Sequence, residues 1–173
     1  MKLVAFLLLL PFAAFSQSDS LPKNAQGIYE LTEVVQLDSV SAANLYSRAK
    51  KFVAINFNSG KAVTQLNDDN TKTVIGKGVT TALVNPGIGT HVPINVDYTF
   101  TIQCKDNRYK YSITDFLVEN STSAKTALED DAWQKKKMGR KMFSQIEQHV
   151  YSSMTELQAL LKKSMAEDNS KDW

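Results

Sequence analysis

Cysteine, histidine and an excess of either charge are what this sequence has little of. Cys104 is the only cysteine among 173 residues, and His91 and His149 are the only histidines. A single cysteine rules out an internal disulfide. His91 falls in a loop, His149 in a helical stretch and Cys104 on a strand, without the close spacing of transition-metal ligands, so no metal site is expected. The same scarcity leaves a Ser-His-Asp or Cys-His constellation short of partners. Gly76-Lys77-Gly78 lacks both the earlier glycine and the following hydroxyl of a phosphate loop, and no cofactor is expected. Basic and acidic residues number 20 and 18, a balance too even for a nucleic-acid binder.

What the sequence does have begins with an export signal. Lys2 is followed by an apolar run from Leu3 to Phe15, too short to cross a bilayer, which takes about 20 residues. Pro11 interrupts the run, and Ala14 and Ser16 stand where signal peptidase reads small residues, so cleavage is expected between Ser16 and Gln17. No cysteine follows, so no lipid anchor is expected. The exported chain, about 157 residues, has the size of one domain. Without Lys2 it keeps 19 basic residues against 18 acidic. The expectation is a secreted or periplasmic protein of a Gram-negative bacterium, with no membrane span in the mature chain.

Residues 17–27 read as a flexible N-terminal arm, 28–167 as one domain and 168–173 as a polar tail. Ile28 to Leu37 is rich in β-formers and predicts a strand. Ala42 to Phe57 predicts a helix with Leu45, Ala49, Phe52, Val53 and Phe57 on one face. Strands are predicted at Val63 to Asn67 and Thr73 to Leu83. Val92 to Lys105 alternates apolar and polar residues strictly, and Arg108 to Val118 returns as its hairpin partner, with Tyr109, Tyr111, Ile113 and Leu117 facing one way. From Ala124 the chain is predicted helical, with Gly139 a weak point and a long amphipathic helix from Arg140 to Glu167. Strand, helix, four strands, helix gives an α+β domain, a five-stranded antiparallel sheet with both helices packed on one face.

Four blocks of residues resemble a known family. They are Leu45-Tyr46 with Arg48-Ala49-Lys50, Gln65-Leu66-Asn67-Asp68, Ile75-Gly76-Lys77-Gly78, and the hairpin Lys105-Asp106, Arg108-Tyr109-Lys110-Tyr111 with Ile113-Thr114-Asp115-Phe116. Their order is similar to that of domain of unknown function 4468, over roughly Tyr29 to Glu119. Asn107 stands where a glycine is expected in the hairpin turn, and asparagine also accepts positive φ. The resemblance implies a TBP-like two-layer fold and an exported bacterial protein. It implies no activity, cofactor or catalytic residue.

The TBP-like fold does not carry DNA binding with it. Alternation sends Tyr98, Phe100, Tyr109 and Tyr111 to the helix-packed side and leaves Asp97, Thr99, Thr101, Gln103, Lys110, Ser112 and Thr114 open. That face has no aromatic wedge for a minor groove. Two surfaces are candidates for interaction: the cluster Lys135, Lys136, Lys137, Arg140 and Lys141, and the sheet residues Thr99, Thr101, Lys110 and Ser112. Either a solvated helix end or a site for an anionic surface or polysaccharide explains the cluster. His149 is expected on the helix surface and Cys104 in the core. Gly76 and Gly78 are expected to mark a bulge or a close helix approach. Asp68-Asp69 and Asp130-Asp131 suit a turn and a helix start. Asp19-Ser20-Leu21 and Asp38-Ser39-Val40 resemble short bacterial O-glycosylation acceptors.

The functional reading is a non-enzymatic binding or interaction module of the envelope, with an unknown protein or glycan partner. One alternative is a small hydrolase-like enzyme around Val84 to Val92 and His91. The other is a subunit joined to an envelope assembly through its last helix.

Overall fold

The computed structural model describes residues 20–57, 63–87, 89–119, 124–130, 135 and 137–167. The expected signal peptide and the polar tail lie outside these residues. Among the described residues eight elements follow one another: β1 (Leu31–Gln36), α1 (Ala42–Asn56), β2 (Val63–Asp68), β3 (Thr73–Val84), β4 (Val92–Lys105), β5 (Arg108–Glu119), β6 (Lys125–Ala127) and α2 (Lys137–Ala166). The strands form one antiparallel sheet in the order β1-β5-β4-β3-β2, with β6 beside the second half of β5.

Alternation along the two longest strands creates the layers. On β4, Val96, Tyr98, Phe100, Ile102 and Cys104 are buried, and both helices cover that side. Val74, Ala82 and Val84 extend the same face on β3. Helix α1 starts where the Ser41 hydroxyl accepts from Asn44 N, an N-cap on an extended residue. It buries Leu45, Ala49, Phe52 and Val53, while α2 buries Ile146, Val150, Met154, Leu161 and Met165. The apolar stripe of α2 is therefore spent on the core. Gly139 lies inside α2 and does not interrupt it.

Arg48 ties the helices together. It is 6 % exposed, its Nε donates to Asn44 Oδ1 at 3.1 Å, and its Nη1 donates to the Met165 carbonyl at 2.7 Å. That carbonyl belongs to the last turn of α2, which has no partner within its own helix. A buried guanidinium at a helix C-terminus also complements the helix dipole.

Rings account for both strand glycines, and Gly76 also faces the expected bulge, since β2 shifts register between Thr64 and Leu66 opposite Gly76 and Ile75. Gly76 is opposite Phe100 and Gly78 opposite Tyr98. A Cβ on Gly76 would lie 2.2 Å from Phe100 Cζ, and one on Gly78 would lie 2.3 Å from Tyr98 Cζ. Each ring folds over the neighbouring strand where a side chain is missing. Phe100 then stacks on Phe57 at 4.4 Å between centroids, which fixes the end of α1 on the sheet.

A bulge changes the phase of β5. Asp97 is opposite Leu117 and Thr99 opposite Thr114, so Tyr98 alone spans Asp115 and Phe116. Asp115 takes a φ of 55°, the left-handed backbone such a bulge requires. Ile113 is buried before it and Phe116 and Val118 after it. Leu117, expected on the core face, is turned to the opposite one.

Beyond the bulge the fold departs from the expected helix. Lys125–Ala127 is a sixth strand paired with Leu117–Glu119, and Leu128 is fully buried, its N–H donating to Phe116 O. Asp130 follows that strand's turn, and Asp131 lies outside the described residues. The part of the arm that is described is docked rather than free. Leu21 is 4 % exposed, Lys23 bridges to Tyr29, and Glu30 N donates to Pro22 O. No helix among the described residues is long and apolar enough to cross a membrane.

Candidate functional site

The helices leave one face of the sheet uncovered, and side chains reach it in rows across the strands. At the level of Thr73, register places Gln103 of β4 next, then Lys110 of β5, then Val34 of β1. One step toward the β4–β5 turn, Lys105 is directly opposite Arg108. The turn itself is Asp106-Asn107, with Asn107 at φ 64° as the hairpin expectation required. It is pinned from outside: Leu37 N donates to Asn107 O, Asn107 N to Val40 O, and Ala42 N to Asp106 Oδ1 at 2.7 Å.

These rows wall a groove of about 410 Å³ lined by Thr71, Thr73, Gln103, Lys105, Arg108 and Lys110. That volume falls in the range of small-molecule sites. Thr73 is 7 % exposed, and its hydroxyl lies 3.0 Å from Thr71 Oγ1, whose one proton goes to Asp68. No carboxylate among the described residues lines the groove. The neighbouring acids face other partners. Asp68 accepts from the Thr71 hydroxyl at 2.7 Å and from the N–H groups of Asn70 and Thr71, which together hold its carboxyl below the usual range. Asp106 accepts from Ala42 N, and Asp69 faces Lys50 at 3.8 Å. Among the described residues Lys105, Arg108 and Lys110 have no ion pair.

Acids of the open face gather elsewhere. A second groove of about 370 Å³ is bounded by Lys77, Asp97, Thr99, Asp115, Leu117 and Glu129, and Lys125 pairs with Asp97. The open face is thus polarised along the strands, basic toward the β4–β5 turn and acidic beside β6. It is also less polar than its β4 and β5 residues suggest, since Val34 and Leu66 expose 52 % and 49 % of their surface.

The sequence-predicted candidates fall into two separate places. Thr99, Thr101, Lys110 and Ser112 share the open face, with Thr101 directly opposite Ser112. Lys137, Arg140 and Lys141 belong to the start of α2, where Arg140 and Lys141 are exposed and Lys141 Nζ approaches Gly87 in the β3–β4 loop. Lys135 is exposed just before the helix, and Lys136 lies outside the described residues. The β3–β4 loop and the β4–β5 turn are opposite ends of β4, about 40 Å apart along a strand of that length. Sequence reasoning singled out Lys110 and placed Gln103 on the open face but missed Lys105, Arg108, Thr71 and Thr73. The signal was available: Lys105, Arg108 and Lys110 fall on one side of a two-residue turn when alternation is counted through it.

The reactive side chains are engaged or shut away. Burial pushes the Cys104 thiol up to about 12, far from a reactive thiolate. His149 is not a free surface residue: its Nε2 is 2.9 Å from Thr80 Oγ1 and 3.3 Å from Ser153 Oγ, within the seam between α2 and β3. His91 has no hydrogen bond or ion pair among the described residues and sits at the exposed start of β4. No cluster of three or more metal-ligating side chains occurs among the described residues.

Comparison with known proteins identifies the fold family. The chain is similar over 86 % of its length to a TBP-like protein from Parabacteroides distasonis, covering 97 % of that chain at 14 % identity and a TM-score of 0.69. It is similar over 87 % of its length to a DUF4468 family protein from Bacteroides ovatus, covering 93 % of that chain at 13 % identity and a TM-score of 0.68. No curated protein matches it. The family model described as a domain of unknown function (DUF4468) with TBP-like fold matches residues 31–119, the whole span from β1 to the end of β5. The chain belongs to that family.

Proposed function

We propose that this protein is an exported, non-enzymatic binding module of the bacterial envelope, secreted or periplasmic, that meets its ligand with the open face of its sheet. The observation that carries the reading is the groove at the β4–β5 turn, where β4 and β5 bring together the Gln103 amide and three cations that have no ion pair among the described residues. The residues 1–16, with one lysine ahead of the apolar run from Leu3 to Phe15, support export. The buried Cys104 and the engaged His149 support binding over catalysis.

The helix-mediated alternative has less support, because Ile146, Val150, Met154, Leu161 and Met165 are already in the core. Two measurements test the reading. Expression with residues 1–16 in a Gram-negative host is expected to yield an extracytoplasmic protein beginning at Gln17; a cytoplasmic protein with those residues intact contradicts export. Amide chemical shifts during titration with fractionated envelope glycans are expected to move on β3, β4 and β5. Shifts confined to the outer side of α2 contradict sheet-face binding and favour the assembly subunit.

A further inference from the structure

Lys105 and Arg108 are placed directly opposite each other at the end of a hairpin, an arrangement that costs stability because like charges on facing strand positions repel. Lys110 adds a third cation one alternation along the same face of β5. Nothing in the described structure neutralises them: Asp68, Asp69 and Asp106 all have other partners, and the lining holds no acid. Of the other polar groups in the lining, the Gln103 amide can donate hydrogen bonds, while the Thr71 hydroxyl already donates to Asp68 and the Thr73 hydroxyl meets Thr71. A groove furnished with donors and uncompensated cations is complementary to an anion.

We propose that this groove binds a phosphate or carboxylate group carried on a sugar-sized molecule. The inference rests on the binding-module reading and specifies the chemistry at its centre. Arg108 supplies the planar fork that both oxyanions engage in bidentate fashion. Lys105 and Lys110 flank it as mobile point charges. Gln103 and Thr73 lie across the strands on the side away from β1 and reach the neutral hydroxyls of the scaffold. Val34, exposed at the β1 edge, provides an apolar surface for a sugar ring. The small volume and the absence of exposed rings on this face among the described residues favour such a group over a nucleic-acid strand, whose bases need aromatic platforms.

The test uses the chain from Gln17 and four probes: glucuronate, glucose 6-phosphate, oligogalacturonate and, as the neutral control, glucose. Titrations followed by amide shifts are expected to move Thr73, Gln103, Lys105, Arg108 and Lys110 with the charged probes and not with glucose. A monomer that binds as well as the oligomer identifies a small anionic sugar as the ligand source; tighter binding by oligogalacturonate identifies an anionic polymer. Arg108→Gln is expected to weaken the charged probes at least tenfold, Arg108→Lys to restore part of that loss, and both variants to keep the far-UV spectrum. No response to any charged probe up to 10-fold over the protein's millimolar working concentration overturns the inference, as does equal binding by Arg108→Gln. Binding of glucose with shifts at Thr99, Thr101 and Ser112 overturns the anion assignment while leaving the sheet face as a binding surface, which separates the two readings.

Discussion

Replacing Arg48 with methionine removes a guanidinium while keeping a stem of similar length in the helix interface. Two losses and one recovery set the balance. The hydrogen bond to the Met165 carbonyl, 2.7 Å long and made by a charged donor, belongs to a class with a net value of about 1.5–3 kcal/mol. The charge at the C-terminus of α2 contributes about 0.3–1 kcal/mol more in typical settings. Methionine recovers some of this by filling the space with apolar surface. The balance is a destabilisation of about 2–3 kcal/mol, which for a chain this long lowers Tm by roughly 4–12 °C. Urea unfolding followed by circular dichroism at 222 nm measures it, and hydrogen exchange locates it. Protection is expected to fall first around Lys162 to Ala166, the turn whose carbonyl loses its partner. A change below about 0.5 kcal/mol, the range of ordinary surface substitutions, or a loss of protection spread evenly over the sheet, refutes the argument.

Other expectations follow from single features. Gly76→Ala is expected to cost about 1–3 kcal/mol, as overpacking does, because its Cβ would enter the Phe100 ring; Phe100→Leu in the same chain should recover part of the loss, and a fully additive double mutant contradicts the contact. Cys104, its thiol pushed up to about 12 by burial, should react with iodoacetamide at pH 8 only as fast as the protein unfolds; labelling within seconds of mixing contradicts its burial. Burial acts to raise the Glu33 carboxyl, but the hydrogen bonds from Lys162 and Tyr111, with the charge of Lys162, outweigh it and hold the group below its ordinary value. Its contribution is therefore complete above the ordinary glutamate range and is lost as pH falls through the lowered value. Wild type should lose stability more steeply than Glu33→Gln below about pH 4.5, and less so in 1 M salt; parallel pH profiles contradict the pairing.

The parts of the fold with a strong local period were legible in the sequence. Val92 to Lys105 alternates without a break, and the strand has those bounds; the α1 stripe and the long α2 are equally regular. The mistakes came where a single residue resets the pattern. Asp115 adopts positive φ and reverses the phase of β5, so Leu117 and Phe116 exchange faces, and an aspartate inside a β-run carries no sign of that. Lys125–Ala127 pairs with the strand beyond that bulge, a tertiary arrangement too short to leave a period of its own. Gly76 and Gly78 announced a close approach but not its partner, since rings on the next strand depend on register. His149 reads as a surface position on a helical wheel, and only the packing of α2 against Thr80 makes it a seam residue. The groove was half visible: its cations could be counted through the turn, whereas Thr73 joined them through pairing of β3 with β4.

The central claim is that Lys105, Arg108 and Lys110 are held together for a ligand and not for the fold. Unfolding free energies of wild type and Arg108→Gln, each with and without saturating glucuronate, test it most directly. Without ligand the substitution should leave stability unchanged or raise it by about 0.2–1 kcal/mol, the value of relieving a facing like-charge pair. Glucuronate at 100 times its dissociation constant should stabilise wild type by about 2.7 kcal/mol and the variant by far less. A variant that is less stable without ligand and gains as much from glucuronate as wild type would make Arg108 a structural residue and contradict the account.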